Sequence, residues 1–223
     1  MQELELVIFD IAGTTVEDRG EVPEAFAHAL AGQGIVLTPE QIKGVRGSSK
    51  RQAILRLIPP GPEQSRLAEE AYESFRAHLA ERYASGGVRA MAGAELAFRT
   101  LRKRGVRVAL NTGFDRETTG LLLGALGWGD GMVDAVVCGD DVPRGRPAPY
   151  LIFHAMEATG ASDVHRVANV GDTILDLQAA SNAGVRWNIG VLSGAHDREL
   201  LEREPHTHIL ASVAEVVTLF ATI

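Results

Sequence analysis

The sequence predicts an α/β fold: a doubly wound (Rossmann-like) parallel sheet as the core, with a small all-helical cap domain inserted after the first strand. Three observations lead there. Short apolar runs recur along the chain, and stretches of helical period lie between them. The runs are nearly continuous in apolar residues instead of alternating, as strands covered on both faces require. One block, from about Glu21 to Tyr83, breaks this rhythm and holds helix-like segments with no convincing strand among them.

The first run, Leu4 to Phe9 (LELVIF), stops at Asp10 and a Gly-containing turn and reads as a buried strand. The helical block follows as Pro23 to Ala31, Pro39 to Val45, Ser48 to Ile58 and Pro62 to Tyr83, separated by Gly and Pro. The predicted division is therefore core 1–18, helical cap 19–88 and core 89–223, the chain returning near Gly86-Gly87. Gly-rich crossings of this kind serve as hinges or as plain turns, and the sequence does not separate the two. Beyond the block, helical stretches at Ala94 to Arg104, Arg116 to Leu126, Pro149 to Ala158 and Leu175 to Ala183 alternate with strand-like runs. Those runs are Val106 to Leu110, Ala135 to Cys138, Val167 to Val170 and Trp187 to Leu192. Ser212 to Glu215 has the spacing of a capping box opening a last helix.

With 45% hydrophobic and 23% charged residues over 223 positions, the composition is that of an ordinary globular protein. A formal charge of -7 gives no general attraction for nucleic acid or anionic lipid, so a phosphate-bearing ligand must be held by a local cluster of donors. The start, MQELELVIFD, lacks the basic opening and long apolar middle of a secretion signal. No segment approaches the ~18–20 apolar residues needed to span a bilayer. A cytoplasmic location with no membrane partner is the expectation. The single cysteine, Cys138, has no internal disulfide partner and ends the apolar run DAVVC, as a small buried residue does.

Strand ends in such a sheet converge on one crevice, and four polar features sit just past them. These are Asp10 after VIF, Thr112 after VALN, Arg146 in VPRGRPAP, and Gly171-Asp172 after VANV. Each alone has a bland explanation in turn chemistry. Together, two carboxylates, a hydroxyl and a guanidinium at one edge make a magnesium and phosphate site, with hard oxygens for Mg2+ and donors for phosphoryl oxygens. Gly13 permits a tight backbone approach, and its amide with that of Thr14 can form an anion-binding nest.

Asp10-Ile11-Ala12-Gly13-Thr14-Thr15, Asn111-Thr112-Gly113, Gly145-Arg146-Pro147 and Gly171-Asp172-Thr173-Ile174-Leu175-Asp176 resemble, in order, the four motifs of the haloacid dehalogenase superfamily. Ala12 stands where the common first motif has a second Asp, and Arg146 where the third usually has Lys. DxAGT with GRPxP, preceded by Gly139 to Pro143, resembles the phosphonatase branch (phosphonoacetaldehyde hydrolase-like). That resemblance implies Asp10 as nucleophile and metal ligand, the backbone carbonyl of Ala12 and Asp172 as further metal ligands, and Asp176 with Thr173 around the metal shell. It implies Gly13, Thr112, Gly113 and Arg146 as phosphate-binding groups. It also implies a cap lysine that forms an imine with the substrate aldehyde, in a G-x-x-K pattern that Gly47-Ser48-Ser49-Lys50 matches. A homodimer formed through the cap is in keeping with it.

Lys50 is one of only three lysines among 22 basic residues, as a site needing an amine able to lose its proton requires. A cap from Ser48 or Ser49 would place it in a first helical turn near Arg46 and Arg51, which lower its pKa. The chain departs from the branch at Arg46 for Met, Ala53 for His and Gly20 near an expected Cys, so the aldehyde partner is open. Two alternatives remain at this stage: a phosphatase for a small phosphate ester, disfavoured by Ala12, and a silent binding protein on the same fold. His206 and His208 read as a solvated loop, His154 as a helix residue, and Trp128 and Trp187 as packing groups.

Overall fold

The computed structural model describes residues 4–85, 87–129 and 131–221. Gly86, half of the expected return turn, lies outside the described residues. In chain order the elements are β1 (Leu6–Asp10), α1 (Glu21–Ala31), α2 (Pro39–Val45), α3 (Lys50–Leu57), α4 (Gln64–Ala84), α5 (Ala94–Lys103), β2 (Arg107–Asn111), α6 (Arg116–Ala125) and β3 (Ala135–Val137). There follow α7 (Tyr150–Thr159), β4 (Val167–Gly171), α8 (Ile174–Ala183), β5 (Trp187–Val191), α9 (Arg198–Leu201), β6 (His208–Leu210) and α10 (Val216–Leu219). The expected α/β architecture is borne out. Six parallel strands run in the order β3-β2-β1-β4-β5-β6, with the reversal of direction between β1 and β4.

β1 is apolar throughout because both faces are covered. Leu6 and Ile8 face a core with Leu151, Ile152 and Ala155 of α7 and Ala179 and Ala180 of α8. Val7 and Phe9 face the opposite core, with Phe98 and Leu101 of α5 and Val216 of α10. Burial of a Leu, Ile or Phe side chain contributes about 1.5–3 kcal/mol each, so this central strand is firmly set in register. Asp10 is opposite Asn111 and Phe9 opposite Val170, which brings the strand ends carrying Asp10, Thr112 and Asp172 abreast.

Helices α1 to α4 lie between β1 and β2, with α1 and α3 packed on α4. Gly20 begins α1 at φ 112, a left-handed conformation that a side chain would strain. Two expectations need correction. A sixth strand, β6, pairs with β5, so His208 is in a sheet edge and not a loop. At the C-terminal end, Ser212 accepts from the Ala214 amide and opens a short 3-10 turn before α10, while the Glu215 carboxylate accepts from Ala211 and not from Ser212. The reciprocal box therefore does not form. No described helix is long and apolar enough to cross a membrane.

Candidate active site

Asp10 ends β1, Asp172 follows β4, and Asp176 occupies the first turn of α8. All three are buried, and one oxygen of each lies within 4.8 Å of the others. The Asp172 carboxylate accepts from Thr14 Oγ1 at 3.1 Å and from the Ala195 amide at 2.7 Å. Bare backbone flanks it on two sides: a Cβ on Gly13 or Gly194 would come within 2.4 or 1.9 Å of its Oδ2. Gly13 was expected here from the sequence. Gly194 was not, nor was Ser193, whose hydroxyl donates to the Gly13 carbonyl at 2.8 Å. Asp176 forms a capping box with Thr173, accepting from its amide at 3.0 Å and its hydroxyl at 2.5 Å.

Arg146 is the cation of this cluster. Its guanidinium pairs with Asp10 at 2.7 Å and Asp176 at 3.0 Å. It also donates to the Asn111 side chain and to the backbone carbonyls of Asn111 and Gly47, each carbonyl at 3.3 Å. One guanidinium faces three buried carboxylates, and two of them, Asp172 and Asp176, hold protons more tightly than usual. Burial, then Asp10 and Asp176, push Asp172 up to about 8. Burial pushes Asp176 up to about 6, with Asp10 adding to it and Arg146 opposing. Buried oxygens short of a cation are the donor set a hard divalent ion takes, so the residues fit a metal.

The inserted helices supply the remaining wall. Their loop Gly47-Ser48-Ser49 is seated on three core loops at glycines. A Cβ on Gly113 would lie 2.3 Å from the Ser48 carbonyl, one on Gly47 2.2 Å from Thr173 Oγ1, and one on Gly145 3.1 Å from Ser49 Cβ. The Lys50 amide donates to the Gly113 carbonyl at 3.1 Å, which fixes the start of α3 against the core. Lys50 is only 6% exposed. Its Nζ donates to the Ser48 carbonyl at 3.3 Å and sits 4.8 Å from the centre of the Phe114 ring.

Burial, and next the Arg46 charge, lower the pKa of Lys50 to about 8, against the opposing pull of Asp10. Arg51 is not among the leading causes, contrary to expectation, and turns to Glu69 and the Tyr72 ring. Ser49 occupies the cap position without a side-chain cap bond, and the Ser48 hydroxyl donates to Val45 instead.

One cleft is lined by Asp10, Ala12, Lys50, Thr112, Arg146 and Asp172, with Gly113 and Thr173 at its rim. Thr112 Oγ1 accepts from the Phe114 amide at 3.2 Å, leaving its own hydroxyl hydrogen to donate elsewhere. Arg46 also reaches this cleft and pairs with the buried Asp18 carboxylate. Cys138 is fully buried, and burial raises its thiol to about 11, so it is no thiolate nucleophile. His206 is exposed, while Trp128 and Trp187 are buried packing groups. His196, which the sequence reading passed over, is buried and accepts from the Ile174 amide at 3.0 Å, bracing the start of α8.

The family profile of haloacid dehalogenase-like hydrolases matches residues 4–184. The chain belongs to that family. Among haloacid dehalogenase-like hydrolases it is similar to the phosphonoacetaldehyde hydrolase of Bacteroides fragilis, 32% identical over 92% of this chain and 82% of that one. The phosphonoacetaldehyde hydrolase of Bacillus cereus is 28% identical over 91% of this chain and 81% of its own. These relatives bear out the likeness read from the DxAGT and GRPxP motifs. A hydrolase from Pseudomonas syringae superposes with a TM-score of 0.87 at 25% identity, covering 98% of this chain and 99% of that one. A phosphonoacetaldehyde hydrolase-like protein from Oleispira antarctica, at 21% identity, shares the fold with a TM-score of 0.85 over 98% of this chain and 92% of its own.

Proposed function

We propose that the chain is a magnesium-dependent hydrolase of the phosphonatase type, cleaving the carbon–phosphorus bond of a phosphonoaldehyde such as phosphonoacetaldehyde. The observation that carries this reading is a buried amine, Lys50, held near pKa 8 in the same cleft as Asp10. Carbon leaves phosphorus badly unless its electron pair has somewhere to go. Neutral Lys50 adds to the aldehyde and loses water to give an imine, which on protonation becomes the electron sink. Asp10 Oδ then attacks phosphorus, the carbon–phosphorus pair moves into the imine as an enamine, and an aspartyl phosphate remains. Water hydrolyses the aspartyl phosphate to phosphate. The enamine takes a proton on carbon and is hydrolysed to acetaldehyde and free Lys50.

Asp10, the Ala12 carbonyl and Asp172 would hold Mg2+, which supplies charge for the phosphoryl oxygens. Asp176, held by Thr173 and Arg146, orients that shell. Gly13, Thr112, Gly113 and Arg146 would donate to the phosphoryl group. Ala12 offers no proton, and an enamine leaving group needs none there, whereas the alkoxide of an ester does; a general acid contributes about 10²–10⁴ in rate. In this reading residues 19–88 act as a cap over core segments 1–18 and 89–223.

Incubation with phosphonoacetaldehyde and borohydride, followed by peptide mass analysis, tests the reading. The expected result is a reduced adduct on Lys50 and, without borohydride, release of acetaldehyde and phosphate. An unmodified Lys50 with rapid turnover of phosphate esters would instead make the protein a phosphatase.

A further inference from the structure

A second cavity, of about 310 Å³, opens between α3 and the loop leading into α7, and Arg146 lines both it and the reaction cleft. Its volume is at the lower end of small-ligand sites. Arg56 and Gln52, one turn apart on α3, line it from one element, and Arg144, Gly145, Arg146, Tyr150 and Asn182 from the core. Among the described residues the guanidinium of neither Arg56 nor Arg144 makes an ion pair or hydrogen bond. Many exposed arginines of the chain, among them Arg51, Arg66, Arg116, Arg198 and Arg203, are matched to carboxylates, and what sets Arg56 and Arg144 apart is that both line one cavity. An acidic protein of charge -7 thus leaves two guanidiniums unmatched on opposite walls of one pocket, with no carboxylate lining it.

We infer that this cavity binds a compact dianion, a tetrahedral oxyanion or a short dicarboxylate, between Arg56 and Arg144. Guanidiniums are suited to both, because their planar fork matches either oxyanion geometry. Tyr150 and Gln52 add neutral donors that fix orientation. The site does not depend on the identity of the substrate. Its position gives it a consequence for catalysis all the same. One wall is the helix that begins at Lys50, and the other is the loop that carries Arg146. An anion bridging the walls holds α3 down on Gly145, where Ser49 already rests. Occupancy therefore favours the seated position of Lys50.

The test titrates inorganic phosphate, and separately malonate, into the magnesium-loaded protein by calorimetry. Phosphate is expected to bind twice, once in the reaction cleft and once here, and malonate once. In the Arg56→Ala/Arg144→Ala variant the second phosphate event and the malonate event weaken at least about tenfold, while kcat and KM without added anion are unchanged. The Arg56→Lys/Arg144→Lys variant keeps the charge and retains most of the binding. Amide exchange over 47–57 slows with malonate in the wild type and not in the alanine variant. Binding of only one probe assigns the site to that probe's shape. Isotherms identical in wild type and alanine variant, or exchange over 47–57 indifferent to a bound anion, would overturn the inference.

Discussion

Lys50 shows how one residue trades stability for reactivity. At pH 7 a lysine of ordinary pKa is about 0.03% neutral, and one at about 8 is roughly 10% neutral, a gain of more than two orders of magnitude in reactive amine. The same shift costs the fold. The native state holds the proton less tightly than the unfolded chain, so the penalty is fully present below pH 8 and is relieved as pH rises towards 10.5. Lys50→Met is therefore expected to be more stable at pH 7 by up to about 3 kcal/mol, the gap closing towards pH 10.5, while carbon–phosphorus cleavage is lost. Denaturant titrations at the two pH values check the first part. In the wild type, kcat/KM should climb with pH through about 8, and a flat profile there would contradict an amine nucleophile. Lys50 was legible in the sequence because lysine is rare in this chain and the Gly47 spacing singled it out. Arg46 was legible as a charge beside Lys50, but its pairing with Asp18 was not, since that depends on how the helices fold back.

At the scale of elements, the start of α3 is held by glycines on both sides of the cleft. Gly113→Ala puts a methyl against the Ser48 backbone carbonyl, which has no rotamer by which to move aside. Overpacking of this kind costs about 1–3 kcal/mol, so kcat/KM should fall about tenfold or more and borohydride trapping on Lys50 should slow in proportion. Unaltered trapping would mean that the loop is not seated there during turnover. Helices α1 to α8 were read from the sequence to within about two residues, because their periodicity is strong and Gly or Pro punctuates them, whereas the four-residue α9 was missed. β6 escaped because a three-residue edge strand with polar neighbours carries almost no periodic signal. Gly194 escaped for a different reason: its part is defined by Asp172, which only the fold brings beside it.

For the whole molecule, the carboxylate cluster couples metal, protons and stability. Without a metal, the raised pKa values of Asp172 and Asp176 mean that the native state binds protons the unfolded chain releases. That stabilisation is complete below the ordinary carboxylate range and is lost as pH rises through about 6 and about 8. Mg2+ should restore it where protons cannot. At a hundredfold excess over Kd it is expected to add about 2.7 kcal/mol, or about 5–10 °C in melting temperature, at pH 8 and little at pH 5. Thermal melts with Mg2+ and with chelator at both pH values would show this, and equal shifts at pH 5 and 8 would argue against the carboxylates as the binding groups. The sheet order behind the cluster was predictable as a class from the alternation of apolar runs and helical stretches. Which strands become neighbours was not, because pairing between β1 and β4 joins residues some 160 positions apart.

Arg146 reaches across the boundary between the inserted helices and the sheet, spending one N–H on the carbonyl of Gly47. If residues 19–88 act as the proposed cap, any lifting of those helices would take the acceptor from that N–H and leave it for an oxyanion of the substrate. Closure of the cap and release of the ligand would then compete for one proton donor.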